Sequence, residues 1–275
     1  MPTPRQEVAV AIHDEMIYVF GGLNSDGATL ATAERYDPAA DSWEALPPLP
    51  VPLNHAAAAS AGGKIYVFGG SRTFPVDPEG FLFEYEPEIG FWRSRSQSPF
   101  VRAAAVAVTV EEKLYVIGGI GQEPASVLEY SPSFDRWLVK NTNMPTLREH
   151  HAAAVSNGMI YVFSGRWEGE NVQSVEAYDP LNDLWQSKAP IPTKRSGLAA
   201  CAVNDTIYVL GGELPGVFAT NERYLVTLDL WERSEPMPTA RHGLAVAHVD
   251  RKIYAIGGGL VAGLLATGVV EVFTP

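Results

Sequence analysis

One cysteine in 275 residues rules out an intrachain disulfide, and Cys201, inside the apolar run Leu198–Val203, reads as a small buried hydrophobe. No apolar run approaches the ~20 residues that cross a bilayer as a helix, so no membrane span is expected. Positive charge is scarce as well: 20 Lys and Arg against 32 Asp and Glu leave a formal net charge of −12, which disfavours bulk binding to nucleic acid or to an anionic membrane. Catalytic signatures are missing too, with no Gly-x-Ser-x-Gly elbow, no His-Glu-x-x-His, no phosphate loop and no Cys/His nucleophile pair at a known spacing. No cofactor is expected, and whether the chain is an enzyme is left open. Met1-Pro-Thr-Pro-Arg5 runs directly into the first apolar stretch with no leader ahead of it. That is the pattern of a cytoplasmic chain, or of a secreted or periplasmic one whose leader has been removed. High alanine and low lysine content fit a GC-rich bacterial genome.

What the chain does have is a ruler. The hexad Ile17–Gly22 recurs at Ile65–Gly70, Leu114–Gly119, Ile160–Gly165, Ile207–Gly212 and Ile253–Gly258, with offsets of 48, 49, 46, 47 and 46 residues. A repeat of this length fixes architecture and directs attention to equivalent positions. Aligned on the first Gly, with Ser164 in its place in the fourth unit, a Tyr stands three residues earlier in all six units. Tyr36, Tyr85, Tyr130, Tyr178 and Tyr224 are each followed seven residues later by Trp43, Trp92, Trp137, Trp185 and Trp231, while Phe273 takes the aromatic position of the sixth unit. Runs of four to eight β-branched and aromatic residues bounded by Gly, Pro, Asn and Asp are strand signals, and no helical periodicity competes with them. Four short strands per unit make a propeller blade.

The tandem Gly pair, the Tyr before it and the Tyr…Trp pair at fixed spacing resemble the kelch repeat over essentially the whole chain. The resemblance implies an all-β, six-bladed β-propeller of four-stranded antiparallel blades, one domain over 1–275 with blades at about 1–49, 50–98, 99–144, 145–191, 192–237 and 238–275. The sixth unit stops at Phe273-Thr-Pro275, one strand short. It is expected to lack its outer strand or to receive one from a partner or from further sequence. The apolar segment Gly259–Gly268 reads either as a loop folded over the ring or as a contact patch of Leu260, Val261, Leu264 and Leu265.

Sixteen residues before the first Gly stand Arg5, Leu53, Arg102, Arg148, Arg195 and Arg241. These positions are read as opening the innermost strands around one mouth of the channel, on the same face as the loops after the Gly pairs. Guanidiniums converging within an acidic protein need either internal carboxylates, with Glu34, Glu176, Glu222 and Glu271 as candidates, or an anionic ligand held by forked hydrogen bonds. The expectation taken forward is that two or three of them face solvent. Asn54, His55, His150 and His242 deepen the mouth, and Arg72, Arg166, Trp167 and Glu213 stand on the variable loops, with Trp167 the one Trp outside the repeat columns. No metal is expected, because the histidines lie on different blades without a local ligand spacing and His150 and His151 point to opposite faces of a strand.

The kelch resemblance also implies a function. Kelch propellers of ubiquitin-ligase adaptors use Arg at this point of the repeat to recognise acidic peptides, which maps onto Arg102, Arg148, Arg195 and Arg241, and onto Arg5 by repeat symmetry. The expected function is a binding module whose Arg/His mouth holds an acidic peptide or protein, or an anionic small molecule. The alternative is an isomerase resembling the kelch sialic-acid mutarotases, with Arg on a sugar carboxylate and Glu123, Glu168, Glu213 or His150 moving the proton.

Overall fold

Each hexad forms the second strand of a sheet, because its β-branched and aromatic residues are fully enclosed by flanking sheets: Ile17, Val19, Ile65, Val67, Ile160 and Val162 have no exposed surface. A computed structural model describes all of residues 1–275. Five sheets have four antiparallel strands in sequence order, beginning with Ala9–His13, Met16–Phe20, Ala33–Asp37 and Ser42–Leu46. The sixth has three, Ala245–Val249, Lys252–Ile256 and Val270–Phe273, so the outer strand is missing as expected. No helix is long and apolar enough to cross a membrane.

The aromatic columns follow from register. Tyr36 faces Trp43 across the third and outer strands, and the same pairing joins Tyr85 with Trp92, Tyr130 with Trp137, Tyr178 with Trp185 and Tyr224 with Trp231. Phe20, Phe68 and Phe163 then lay their rings against the Trp of the next blade, with centroids 5.4, 5.5 and 5.7 Å apart. Six core clusters result, one for each blade interface. The cluster that joins the sixth blade to the first contains Tyr254, Ile256, Ile17, Val19 and Tyr36.

Two hydrogen-bonded rings close the propeller. The second Gly of each hexad donates its N–H to the carbonyl of the next blade's Arg-column residue, ending with Gly258 to Arg5 at 2.8 Å. Two residues beyond that column, the N–H of each blade bonds the carbonyl of the blade before: His55 to Glu7, Ala104 to His55, His150 to Ala104, Gly197 to His150, Gly243 to Gly197 and Glu7 to Gly243, all at 2.8–3.1 Å. The two rings explain two sequence features. The first Gly of the hexad packs under a neighbouring carbonyl: a Cβ on Gly21 would stand 2.1 Å from the Leu53 oxygen. Ser164 solves the same problem by donating its hydroxyl to the Arg195 carbonyl at 2.8 Å. The inner-ring residues, Glu7, His55, Ala104, His150, Gly197 and Gly243, all adopt left-handed φ between 49° and 62°. That turn delays the innermost strand, so the Arg column lies ahead of the strand instead of opening it.

Candidate functional site at the propeller axis

The arginine column is not a free binding surface. Arg5, Arg102, Arg148, Arg195 and Arg241 have no exposed surface. Each donates to the carbonyl sixteen residues later, at Gly21, Gly118, Ser164, Gly211 and Gly257. Four also hold the predicted carboxylate: Arg5 to Glu34 at 2.7 Å, Arg148 to Glu176 at 2.8 Å, Arg195 to Glu222 at 2.6 Å and Arg241 to Glu271 at 2.7 Å. Thr3, Thr146 and Thr193, two residues before their arginines, donate to the other oxygen of Glu34, Glu176 and Glu222. Arg102, which has no such Glu, uses the Ser126 hydroxyl and the Gln122, Glu123 and Ser126 carbonyls. Burial lowers all five guanidiniums, Arg5 and Arg102 to about 10, which leaves them charged at neutral pH. The expectation that two or three face solvent is therefore corrected: each sits beneath the loop layer, where its own blade already supplies the acceptors.

Blade two supports the structural role. Leu53 stands in the arginine position and Phe83, opposite Val67, stands where Glu34 stands opposite Val19; both are buried. In that blade an apolar pair fills both positions of the ion pair, whereas blade three keeps Arg102 with Leu128 in the carboxylate place.

One and two residues past the column, the chain builds something different. Three equivalent positions surround the axis: the residue after the Arg column, the left-handed residue after that, and the first residue after the Gly pair. The first and third are bridged in the backbone, as at Glu149 with Arg166, Ser196 with Glu213 and His242 with Gly259. From these positions come Glu7, His55, Glu149, His150, Arg166, Glu213 and His242, and blade three contributes only Ala103, Ala104 and Ile120. Gly197, Gly243 and Gly259 make the room. A Cβ on Gly243 would lie 2.3 Å from Glu7 Oε1, and one on Gly259 2.3 Å from His242 Cε1.

These side chains form one network. Arg166 donates to Glu149 and Glu213 at 2.6 Å each. His150 Nδ1 contacts Glu149, and His55 Nδ1 pairs with Asn54 Oδ1. The His55 and His150 rings meet edge to face with centroids 4.9 Å apart. Glu7 reaches both His55 Nε2 at 3.6 Å and His242 Nε2 at 3.7 Å, and Glu213 lies 3.6 Å from His242 Nε2. Beneath the network is a cavity of about 110 Å³ lined by Glu7, His55, His150, His151, Gly197 and Gly243. Below that the channel is walled by Ala, Val and Leu of the innermost strands.

Burial dominates the electrostatics. It lowers the His55 imidazole, with Glu7 opposing and Arg166 and His242 assisting, and it puts His150 well below the ordinary histidine value, with His55 and Arg166 adding to the effect. His151, fully enclosed, falls to about 3, with Arg148 adding to the effect of burial and the Ile117 backbone opposing it. The axis thus holds neutral imidazoles beside carboxylates, a donor set suited to proton exchange or to cation binding.

Above the axis stand the loops. Arg72 and Phe74 are exposed, and Trp167 is half-buried in the short hairpin Arg166–Trp167 with Glu170–Asn171. Asn171 tethers this hairpin to the Leu214 carbonyl of the next blade at 2.9 Å. The Gly259–Gly268 segment is pinned through Gln6, which bonds the Gly263 carbonyl at 2.8 Å and the Leu265 N–H at 3.2 Å. It folds over the ring and still leaves Val261 and Leu265 exposed.

A family model described as the KLHDC2/KLHL20/DRC7 Kelch-repeats domain matches residues 55–258, and one for the Kelch motif matches residues 4–50. The chain belongs to the kelch-repeat family. Curated kelch relatives include beta-scruin of Limulus polyphemus, 31% identical over 219 residues, covering 74% of this chain and 24% of that protein. Kelch-like protein 35 of Mus musculus is 32% identical over 174 residues, covering 62% of this chain and 29% of that protein. The matched region thus spans about a quarter of the length of these relatives. A solved structure titled "Structure of YjhT" superposes with a TM-score of 0.88 at 20% identity, covering all of this chain and 96% of that one, a likeness of fold.

Within this kelch ring, the expected mouth residues separate into three sets. The arginine column is spent on the scaffold. His55, His150, His242, Arg166 and Glu213 converge on the axis, with Asn54 fixing the His55 ring, whereas Arg72 and Trp167 stay on the loops. Glu7 and Glu149 were missed. Glu7 occupies the same repeat position as His55 and His150, and Glu149 the same as His242, so the column comparison that found the histidines was the signal for both.

Proposed function

We propose that this kelch chain is a binding module whose partner docks on the loop face above the axis. The observation that carries the proposal is the composition of that face: loops of unequal length present exposed Phe74 (49%), Val261 (44%) and Leu265 (43%) beside Arg72, Trp167 and the partly exposed Arg166. Apolar side chains interleaved with guanidiniums and an indole suit a peptide or protein surface. The acidic-ligand reading now rests on Arg72 and Arg166 alone. Arg166 is already shared between Glu149 and Glu213, so an acidic segment gains less there than it would from five free arginines. The mutarotase-like reading loses its clamp for the same reason.

The test is an array of Asp/Glu-rich peptides, each paired with its Asn/Gln counterpart, probed with wild type, Arg166→Ala, Trp167→Ala and, on the outer rim, Leu181→Asp. Selective retention of acidic peptides that Arg166→Ala and Trp167→Ala abolish and Leu181→Asp preserves supports the proposal. Equal retention of acidic and amide peptides removes the acidic specificity, and loss through Leu181→Asp alone moves the site to the rim.

A further inference from the structure

We infer that the propeller axis is a binding site for one divalent d-block cation of the Zn²⁺ class, ligated by Glu7, His55 and His150. One ligand atom each from Glu7, His55 and His150 lies within 4.8 Å of the others. Glu7 Oε2 stands 3.6 Å from His55 Nε2. This separation is long for a hydrogen bond and close to the roughly 3.4 Å edge of a tetrahedron whose ligands lie about 2.1 Å from a zinc ion.

Three further observations point to a cation. His55 Nδ1 is engaged by Asn54 Oδ1. Such a contact orients a metal-binding imidazole, places its proton on Nδ1 and leaves Nε2 as the donor. His242, 3% exposed, makes no hydrogen bond through its ring, and its Nδ1 is enclosed without a partner. The network is also short of positive charge. Glu7, Glu149 and Glu213 contribute three carboxylates against the single guanidinium of Arg166, an excess of two in a site where the carboxylate side chains are 9–12% exposed. Enclosed charge of this kind is costly without a counter-ion, and a dication cancels it.

The donor set selects the cation. Imidazoles with one carboxylate and no thiolate favour Zn²⁺, Ni²⁺, Co²⁺ or Cu²⁺ over Ca²⁺ and Mg²⁺, which take oxygen shells. Arg166 opposes the cation, with Nη2 3.5 Å from His150 Nε2, but Glu149 and Glu213 hold its other nitrogens. The missing local motif is not an objection, because Glu7 and His55 are 48 residues apart, one repeat, so the spacing of this site is the spacing of blades. The bound ion would join blades one, two and four next to the point where the inner backbone ring closes, at Glu7 with Gly243, independently of any partner on the loop face.

The experiment uses the full chain, stripped with EDTA, dialysed, and titrated with ZnCl₂ or CaCl₂ by isothermal calorimetry and thermal melting. One equivalent of Zn²⁺, a raised Tm and no response to Ca²⁺ are expected. Glu7→Gln and His55→Gln should each weaken Zn²⁺ at least tenfold while His248→Gln leaves it unchanged. X-ray absorption of the zinc-loaded wild type, which does not depend on any variant folding, should show a shell of nitrogen and oxygen with imidazole scattering. No saturable Zn²⁺ binding, binding that survives both Glu7→Gln and His55→Gln, or a zinc shell without imidazole would each overturn the inference.

Discussion

The arginine column and the axial network lie one or two residues apart on the same turn of every blade, yet they obey opposite rules. The column is nearly symmetric: five arginines bond the same carbonyl in their own blades, and four hold a Glu at the same register. The axial network is asymmetric, drawn from five blades, with Ala and Ile from blade three, and it keeps unpartnered imidazole nitrogens and excess negative charge. In a repeat protein, one bonding pattern repeated from blade to blade marks scaffold, because every blade must solve the same packing problem, and the column keeps that pattern although Nε of Arg5 and of Arg241 is left without an acceptor. Departure from symmetry with polar atoms left over marks a place where something else is accommodated.

The largest effect that would break this contrast is at the column. Arg195→Leu leaves Glu222 enclosed with only the Thr193 hydroxyl for a side-chain partner. Removing one member of a buried pair costs about 3–5 kcal/mol, to be read as a fall in the urea midpoint. At the axis, Gly243→Ala puts a Cβ 2.3 Å from Glu7 Oε1 at a left-handed φ of 53°. A loss of about 1–2 kcal/mol is expected by the same measurement, and a silent substitution would mean that this turn accepts a Cβ here as it does at Ala104 and that Glu7 gives way.

A pH comparison sharpens the axis further. His151 titrates near 3 when folded and near 6.5 when unfolded, so between those values the unfolded chain binds a proton that the folded chain does not. Stability is then fully present above about pH 6.5 and is lost as pH falls, with His55 and His150 acting in the same direction. In EDTA-treated protein the urea midpoint should drop from about pH 7.5 to pH 5.5, and His151→Gln should reduce that drop. The smallest effect is expected from Glu7→Gln without metal. It removes one unit of surplus charge, so stability should hold or rise slightly, and a loss as large as that of Arg195→Leu would place Glu7 among the scaffold residues.

The blades were legible because their signals are local. The hexad carries its own strand and terminating Gly pair, and the seven-residue Tyr…Trp spacing is the hairpin register of the third and outer strands. The carboxylate partners of the arginines were legible as well: Glu34, Glu176, Glu222 and Glu271 are the residues that pair. Depth was not legible. Whether a guanidinium lies above or below the loop layer depends on the left-handed turn two residues later, and that conformation is taken there by Glu, His and Ala as well as Gly, with no sequence mark. The joint replacement of Arg and Glu by Leu53 and Phe83 carried the same information, but it is readable only once strand register is known. Glu7 escaped because it is the one acidic residue at its repeat position, and only its alignment with His55 and His150 gives it meaning.

Blade two also supplies the most direct test of the central claim, that the arginine column is scaffold. Placing its solution in blade five, as the double variant Arg195→Leu with Glu222→Phe, should restore most of the urea midpoint lost in Arg195→Leu alone, since an apolar pair replaces a buried ion pair at little cost. A double variant as unstable as the single one, or an Arg195→Leu protein as stable as wild type, would contradict the account.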